Sequence, residues 1–144
     1  MVELLAPAGN EKCFFTAIES GADAVYLGLG GFSARKNAEN FNADNIEFYV
    51  NYAHNLGVKV YVALNTLVKD CETDDFLKEA EYALRAGTDA LIIQDVFLAS
   101  LLKSRFPSSV LHLSTQAGVN NVEGARLAAE YGFSRVILAR ETEQ

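Results

Sequence analysis

The stretch Gly21-Ala22-Asp23-Ala24-Val25-Tyr26-Leu27 decides the fold class, because a near copy follows at Gly87-Thr88-Asp89-Ala90-Leu91-Ile92-Ile93. Weaker copies begin at Gly57 and Gly132. An amphipathic stretch precedes the glycine in each copy, and a glycine there suits the left-handed residue that ends a helix. The aliphatic run after the glycine is typical of a strand buried on both faces. The repeating unit is therefore predicted to be a helix, a glycine and a strand.

Read along the whole chain, this unit predicts six strands that alternate with five helices. The predicted strands lie near residues 2–5, 23–28, 58–64, 89–93, 110–114 and 135–139. The predicted helices lie near residues 10–20, 42–56, 73–86, 95–105 and 121–131. Asn42 is predicted to be the N-cap of the second helix, and Asp95 is expected to cap the fourth.

Alternation of strands and helices with short connections predicts parallel strands joined by right-handed crossovers. A complete doubly wound open sheet is one α/β architecture that suits a chain of this length. The other is part of a TIM-type (β/α) barrel, of which a whole copy takes about 250 residues. We favour a truncated barrel, because the last strand is followed by residues 139–144 without a covering helix. Residues 1–144 are then expected to be a single domain, the N-terminal part of that barrel.

The composition is that of a soluble globular protein, which excludes disorder and fibrous repeats. The chain has 144 residues, 12 Lys and Arg, 19 Asp and Glu and a formal net charge of −7. This balance argues weakly against contact with RNA by this part of the chain alone. The densest run of charge is predicted to face water and consists of Asp70, Glu72, Asp74, Asp75, Glu79 and Glu81.

The first residues of the sequence, its apolar runs and its cysteines predict where in the cell the protein is located. No apolar run approaches the roughly 18 residues of a membrane span, and the first residues include an acid and no basic region. The two cysteines, Cys13 and Cys71, are far apart and form no disulfide framework. We therefore expect a cytoplasmic protein that has no membrane partner.

Ligands of both architectures bind at the carboxyl ends of the strands. Amide, hydroxyl and charged side chains follow the predicted strands, whereas the strand bodies are apolar. The predicted substrate-binding set is Asn10, Ser33, Arg35, Asn65, Thr66, Gln94, Thr115 and Gln116. Any one of these residues is equally compatible with a helix cap or a polar loop, but the set predicts a pocket with a polar lining.

Arg140 and Glu141 follow the last predicted strand and are the candidate catalytic pair. The guanidinium groups of Arg35 and Arg140 match a phosphate or a carboxylate, although a surface ion pair would explain each equally well. Glu141 is a candidate general acid or base if its surroundings raise its pKa.

Other motifs are excluded by their spacing. Gly28-Leu29-Gly30-Gly31 follows a strand but is not a dinucleotide-binding motif, since the next predicted helix begins about ten residues later. The sequence contains no HExxH, no zinc-binding spacing and no GxSxG. No metal site is predicted, and His54 and His112 are expected to have packing roles.

The residues at the strand exits resemble those of peptidase family U32, the collagenase-like proteins. The resemblance begins at Leu4-Leu5-Ala6-Pro7-Ala8-Gly9-Asn10. It continues, in the family's order, through 23–28, 32–35, 40–41, 62–66, 93–95, 113–116 and 138–141. The resemblance implies a barrel-like N-terminal domain in a chain shorter than most members.

The resemblance implies two functions for the whole protein, and a third hypothesis concerns this chain alone. The leading expectation is a collagenase-like peptidase that hydrolyses peptide bonds by an unassigned mechanism. The alternative is a hydroxylation factor that acts on RNA bases or quinones and holds an iron–sulfur cluster further along the chain. The third hypothesis is that this chain is a non-catalytic scaffold or assembly domain, inactive by itself.

The resemblance also sets expectations for cofactors and partners. No cofactor is expected within these residues, because Cys13 and Cys71 do not replace the four cysteines that hold the cluster in some relatives. The partner would be a small-molecule, peptide or RNA substrate of the whole protein. The chain alone is expected to be inactive and to self-associate, or to pack against the remainder of the protein.

Overall fold

The computed structural model describes residues 2–34 and 41–142, in which strands and helices alternate. The strands are β1 (Leu5–Pro7), β2 (Ala24–Gly28), β3 (Lys59–Leu64), β4 (Ala90–Ile93), β5 (Leu111–Leu113) and β6 (Arg135–Val136). The helices are α1 (Glu11–Glu19), α2 (Ile46–Asn55), α3 (Thr73–Arg85), α4 (Val96–Arg105) and α5 (Val122–Glu130). Short 3₁₀ turns lie at Asp70–Glu72 and Thr115–Ala117. The predicted alternation is confirmed.

All six strands are parallel and stand side by side in chain order, from β1 to β6. Val25 pairs with Val60, and Leu91 pairs with Leu111. A doubly wound sheet reverses its strand order at a switch point, and this sheet has no reversal. The barrel prediction is therefore confirmed, and the alternative of an open doubly wound sheet is wrong.

The two faces of the sheet have different partners. On β3, Val60 and Val62 face outward and belong to the main core, which includes helix residues such as Phe76. Tyr61 and Ala63 face the other way and belong to a separate inner cluster that contains strand residues. The sheet is curled into a half-barrel, so that the helices cover its outer face and the inner face is concave.

The glycines of the repeat end their helices in the predicted way. Gly21 and Gly87 have φ angles of +89° and +85°, in the left-handed region that L side chains rarely adopt. Gly57 and Gly132, in the weaker copies, also have positive φ angles. The chain can therefore turn from each helix directly into the next strand.

The aspartates of the two strong copies have the same structural role. A carboxylate oxygen of Asp23 accepts the backbone N–H of Leu4 at 2.7 Å, and one of Asp89 accepts that of Val60 at 2.8 Å. Each aspartate directly precedes a strand, and its carboxylate binds a backbone N–H near the start of the strand that comes before in the sheet. Asp89 also pairs with Nε2 of His54 at 2.8 Å, which joins α2 to this end of the sheet.

The first turn of α2 differs from the prediction. The helix begins at Ile46, and Asn45 occupies its N-cap position without a capping side-chain bond. The Oδ1 atom of Asn42 accepts the backbone N–H groups of Asp44 and Asn45, at 2.9 and 3.2 Å. Asn42 therefore stabilises the turn that precedes the helix, and its prediction as the N-cap is wrong.

The helices of the described residues are short, between 9 and 13 residues. As predicted, Asp95 caps α4, where its Oδ1 accepts the N–H of Phe97 at 2.9 Å. Within residues 2–34 and 41–142, no helix has both the length and the apolar character needed to cross a membrane.

Candidate functional site

A cavity of about 330 Å³ opens on the concave face at the carboxyl ends of the strands. Its floor and wall are mainly apolar and include Leu5, Tyr26, Ala34, Ala63, Ile92 and Ile137. Its rim is polar and consists of Asn65, Ser114, Thr115, Gln116 and Arg140. Because successive side chains of a strand point to opposite faces, residues from several strands converge on this one space.

The structure brings four of the predicted site residues together. Asn65, Thr115, Gln116 and Arg140 all line this cavity, although β3, β5 and β6 deliver them from distant parts of the chain. The hydroxyl of Thr115 donates to the carbonyl oxygen of Leu138 at 3.1 Å and ties the exits of β5 and β6 together.

Other predicted residues lie near the cavity without lining it. The hydroxyl of Thr66 donates to the carbonyl oxygen of Phe32 at 3.1 Å. The Nε2 atom of Gln94 donates to the carbonyl oxygen of Gln116 at 3.3 Å. These two side chains therefore position the rim, where the prediction expected contact with substrate. Ser33 is buried and lines a smaller cavity of about 30 Å³ that shares Asn65 with the main one.

The remaining predictions lie further away or outside the described residues. Asn10 caps α1, where its Oδ1 accepts the N–H of Cys13 at 2.8 Å. Glu141 is exposed and is absent from the residues that line the cavity. Arg35 lies outside the described residues, as does Asn40 of the family resemblance.

Ser114 is a residue of the rim that the predicted set lacked. It is 2% exposed, and its Oγ lies 3.3 Å from Nδ2 of Asn65. The backbone N–H of Gln116 also donates to this oxygen, at 3.2 Å. The strand-alternation pattern carried a signal for it, since Ser114 comes directly after β5 and two residues after His112, whose side chain faces inward.

Glu79 holds the loop that follows β2, and the prediction that it faces water is wrong. Its Oε1 accepts the N–H of Gly31 at 2.9 Å. Burial raises the pKa of Glu79, while the backbone N–H groups of Gly31 and Phe32 oppose this rise. A Cβ at Gly30 would lie 2.1 Å from Oε1, and Gly30 has a φ of +54°. The left-handed backbone and the nearby carboxylate both favour glycine at this position. The loop leads to Ala34 at the cavity wall.

A charged cluster lies beneath the floor of the cavity. A carboxylate oxygen of Glu3 accepts from Nη1 of Arg135 at 2.6 Å, and Lys59 and Tyr61 donate to the same carboxylate at 3.1 and 2.9 Å. The bond from Arg135 is the largest of the effects that lower the pKa of Glu3 to about 2. The cavity residues two positions further along these segments are Leu5, Ala63 and Ile137.

His112 belongs to this lower layer and is neutral at ordinary pH. It is 5% exposed, and its ring packs edge-to-face on Tyr61 at a centroid distance of 4.8 Å. Burial, followed by the charge of Arg135, lowers the pKa of His112 to about 4. Its Nδ1 atom is buried and has no hydrogen-bond partner among the described residues. His112 therefore has the packing role that the sequence predicted, below the cavity.

A curled sheet of parallel strands, with helices outside and a polar-rimmed cavity at the strand carboxyl ends, defines a domain of the (β/α)-barrel class. The model of peptidase family U32 matches residues 9–144. The chain belongs to this family.

The curated relatives carry two kinds of name. The chain is 41% identical over 140 residues to a 23S rRNA 5-hydroxycytidine synthase of Escherichia coli, which covers 97% of this chain and 21% of that protein. It is 38% identical over 139 residues to the tRNA hydroxylation protein P of Escherichia coli, with 96% and 31% covered. It is 31% identical over 140 residues to a collagenase of Porphyromonas gingivalis, with 96% and 33% covered. The chain thus spans about a fifth to a third of these relatives.

Solved structures agree on the fold. A U32 peptidase superposes with a TM-score of 0.77 at 15% identity and covers 96% of this chain and 58% of its own. A 2,3-dimethylmalate lyase superposes with a TM-score of 0.61 at 15% identity and covers 94% of this chain and 53% of its own.

Proposed function

We propose that the protein containing this chain hydroxylates bases of RNA, and that the chain supplies a pocket that holds the base. The observation that carries this proposal is the cavity itself, in which an apolar floor meets a rim of amide, hydroxyl and guanidinium groups. The names of the relatives with 41% and 38% identity supply the reaction class.

The shape and chemistry of the cavity suit a flat heterocycle. Leu5, Tyr26 and Ile92 offer apolar surface to the face of a ring. The side-chain amide of Gln116 offers hydrogen bonds to a ring edge, which is how a base taken out of its stack is read. A pocket of about 330 Å³ has room for one base with part of its ribose, and a duplex would not enter it.

Arg140 suits the phosphate that accompanies such a base. It is exposed, and it is the one basic side chain among the described residues that line the cavity. A guanidinium group binds phosphate oxygens in two parallel hydrogen bonds. The net charge of the chain is −7, which is unfavourable for binding many RNA phosphates. We therefore expect other parts of the whole protein to make the further contacts with the RNA backbone.

Peptide-bond hydrolysis, the leading expectation from the sequence, has weaker support. The hydroxyls of Ser114 and Thr115 are bonded to amide and backbone groups, and among the described residues neither is joined to a histidine. Activation of a serine or threonine nucleophile requires a neighbouring base. Because one relative, at 31% identity, is named a collagenase, peptide cleavage is the alternative outcome of the test below.

The chain's own residues do not fit an iron–sulfur cluster. Such a cluster is held by about four thiolates, whereas the chain has two cysteines, Cys13 and Cys71. Both thiols are exposed, one on α1 and one in the 3₁₀ turn before α3. The role proposed for this chain is therefore limited to binding and orienting the base.

Nucleoside mass spectrometry of cellular RNA tests this proposal. The full-length protein would be expressed in Escherichia coli cells that lack both their tRNA hydroxylation protein P and their 23S rRNA 5-hydroxycytidine synthase. We expect tRNA or rRNA nucleosides that carry one added oxygen atom, and fewer of them when Arg140 is replaced by Met. Unchanged RNA, together with cleavage of a collagen peptide by the purified protein, would favour the peptidase instead.

A further inference from the structure

The Ser114 hydroxyl accepts two hydrogen bonds and still has its proton to donate. The Oγ atom accepts from Nδ2 of Asn65 and from the backbone N–H of Gln116. A hydroxyl has two acceptor lone pairs and one proton to donate. Both acceptor positions are filled, so that only the proton remains available.

The orientation of the Asn65 amide is fixed by its other neighbour. The backbone N–H of Ala34 points at Oδ1 of Asn65 at 3.1 Å, and an N–H group can only donate. Rotation of the amide by half a turn would bring two donors together. Oδ1 therefore faces Ala34, and Nδ2 faces Ser114. Since Nδ2 can only donate, Ser114 has to accept from it.

We infer that Ser114 is an obligate hydrogen-bond donor to the ligand of this cavity and is therefore a specificity-determining residue. Within residues 2–34 and 41–142 the Ser114 hydroxyl makes two hydrogen bonds, and it accepts both of them. The side chain is 2% exposed and lines the cavity. A buried polar group needs its partner, and the cavity is where this proton finds one.

The ligand accordingly presents a hydrogen-bond acceptor at Ser114. For a pyrimidine base, the acceptor is a ring carbonyl oxygen or an unprotonated ring nitrogen. This assignment to a base rests on the proposed function, whereas the donor role of Ser114 rests on the hydrogen bonds alone. The N–H of Ala34, the amide of Asn65 and the hydroxyl of Ser114 form a chain of hydrogen bonds, which we call the relay.

Two substitutions test the relay in the full-length protein. Ser114→Ala removes the proton. Asn65→Asp keeps the size of the side chain and still accepts from Ala34, but its second oxygen accepts from Ser114 and turns the proton away from the cavity. We expect each change to weaken binding of uridine or cytidine by about tenfold in ligand-detected NMR titrations. Neutral nucleosides are used so that repulsion between the new carboxylate and phosphate does not contribute.

Two further variants separate the relay from a general effect of charge or packing. Asn121→Asp makes the same substitution at the N-cap of α5, where the side chain accepts the N–H of Gly124, and it should leave nucleoside binding unchanged. The double variant Ser114→Ala with Asn65→Asp should bind no more weakly than Ser114→Ala, because no proton remains to be redirected.

A crystal structure of the full-length protein tests the inference without any nucleoside. We expect a water or ligand acceptor about 2.8 Å from Oγ of Ser114 on the cavity side. A Ser114 hydroxyl that donates to a protein carbonyl would overturn the inference, as would unchanged binding in a folded Ser114→Ala protein. If the protein hydroxylates no RNA but the acceptor is present at Ser114, the proposed function fails and this inference stands.

Discussion

At the scale of single residues, the site depends on groups that act through backbone atoms. Glu79 illustrates this, because it lies in the middle of a helix and yet holds the N–H of Gly31 in the loop after β2. Its carboxylate lies so close to Gly30 that a methyl group there would collide with it.

Replacement of Gly30 by Ala should lower the free energy of unfolding by about 2 kcal/mol or more. The left-handed backbone conformation costs an alanine about 1 kcal/mol, and the methyl group would also displace Glu79. Urea unfolding of the chain measures the loss. Gly31→Ala is the matched control, since its added Cβ meets Glu79 at an ordinary 3.9 Å. Equal losses at the two positions would contradict this reading of the loop.

His112 should make stability depend on pH. Its pKa is about 4 in the folded chain and 6.5 ordinarily, so the unfolded state binds more protons between these values. The free energy of unfolding should therefore fall by about 2–3 kcal/mol as the pH decreases from 6.5 to 4. Urea titrations across this window measure the slope.

The variant His112→Gln should lose most of that slope, because the group that titrates has been removed. His54→Gln removes the other of the two histidines, so comparison of the two variants shows which histidine carries the slope. Glu3 acts in a lower window, where its stabilisation disappears between its ordinary pKa of 4.5 and about 2. A slope that survives in His112→Gln would assign the acid sensitivity to another group.

At the scale of elements, the repeated aspartates hold neighbouring strands in register. The Asp89 carboxylate accepts the N–H of the fully buried Val60 and also pairs with His54, whereas the Asp23 carboxylate accepts the N–H of the exposed Leu4. An unsatisfied buried N–H costs about 1–3 kcal/mol.

We therefore expect Asp89→Ala to destabilise the chain by about 2–3 kcal/mol and Asp23→Ala by about 1 kcal/mol. Because the two positions are copies of one motif, each variant is the other's control. Hydrogen exchange should show faster exchange of the Val60 amide in Asp89→Ala alone. Equal destabilisation by the two substitutions would show that the second partner of Asp89 contributes nothing.

Elements were the part of the fold most open to prediction, because they depend on local chemistry. Gly21 and Gly87 indicated where helices end, and the apolar runs after them indicated buried strands. The start of α2 was misjudged, since whether Asn42 caps a helix or a turn depends on the backbone three residues later.

The candidate site was predicted in part, for a similar reason. Parallel strands bring their exits to one edge, so Asn65 and Gln116 could be placed together from sequence. Ser114 was missed because its role is set by the orientation of Asn65, and Glu79 was missed because a helix acid ordinarily faces water. Contacts of this kind depend on three-dimensional packing between segments distant in sequence.

At the scale of the whole molecule, β1 and β6 are the edge strands of the described sheet, and the concave face carries apolar residues such as Leu5 and Ile137. Unpaired strand edges are templates for pairing with another chain. We expect the isolated 144-residue chain to self-associate, with an apparent mass that rises with concentration in multi-angle light scattering. A monomer at every concentration would contradict this expectation.

An ion pair links the two edge strands of the sheet. Arg135, at the start of β6, reaches Glu3, which precedes β1, and the two are bonded at 2.6 Å across the concave face. This pair joins the first and last strands beneath the cavity floor. The cavity is consequently approached from the strand carboxyl ends, where the polar rim lies.

The central claim is that a base of RNA enters the cavity at the strand carboxyl ends. The most direct measurement is photocrosslinking of the full-length protein to tRNA that contains 4-thiouridine, followed by mass spectrometry of the linked peptides. The account predicts crosslinks within residues 63–66, 114–116 and 137–140, which line or flank the cavity. Crosslinks confined to the outer helices, or none in these three segments, would contradict it.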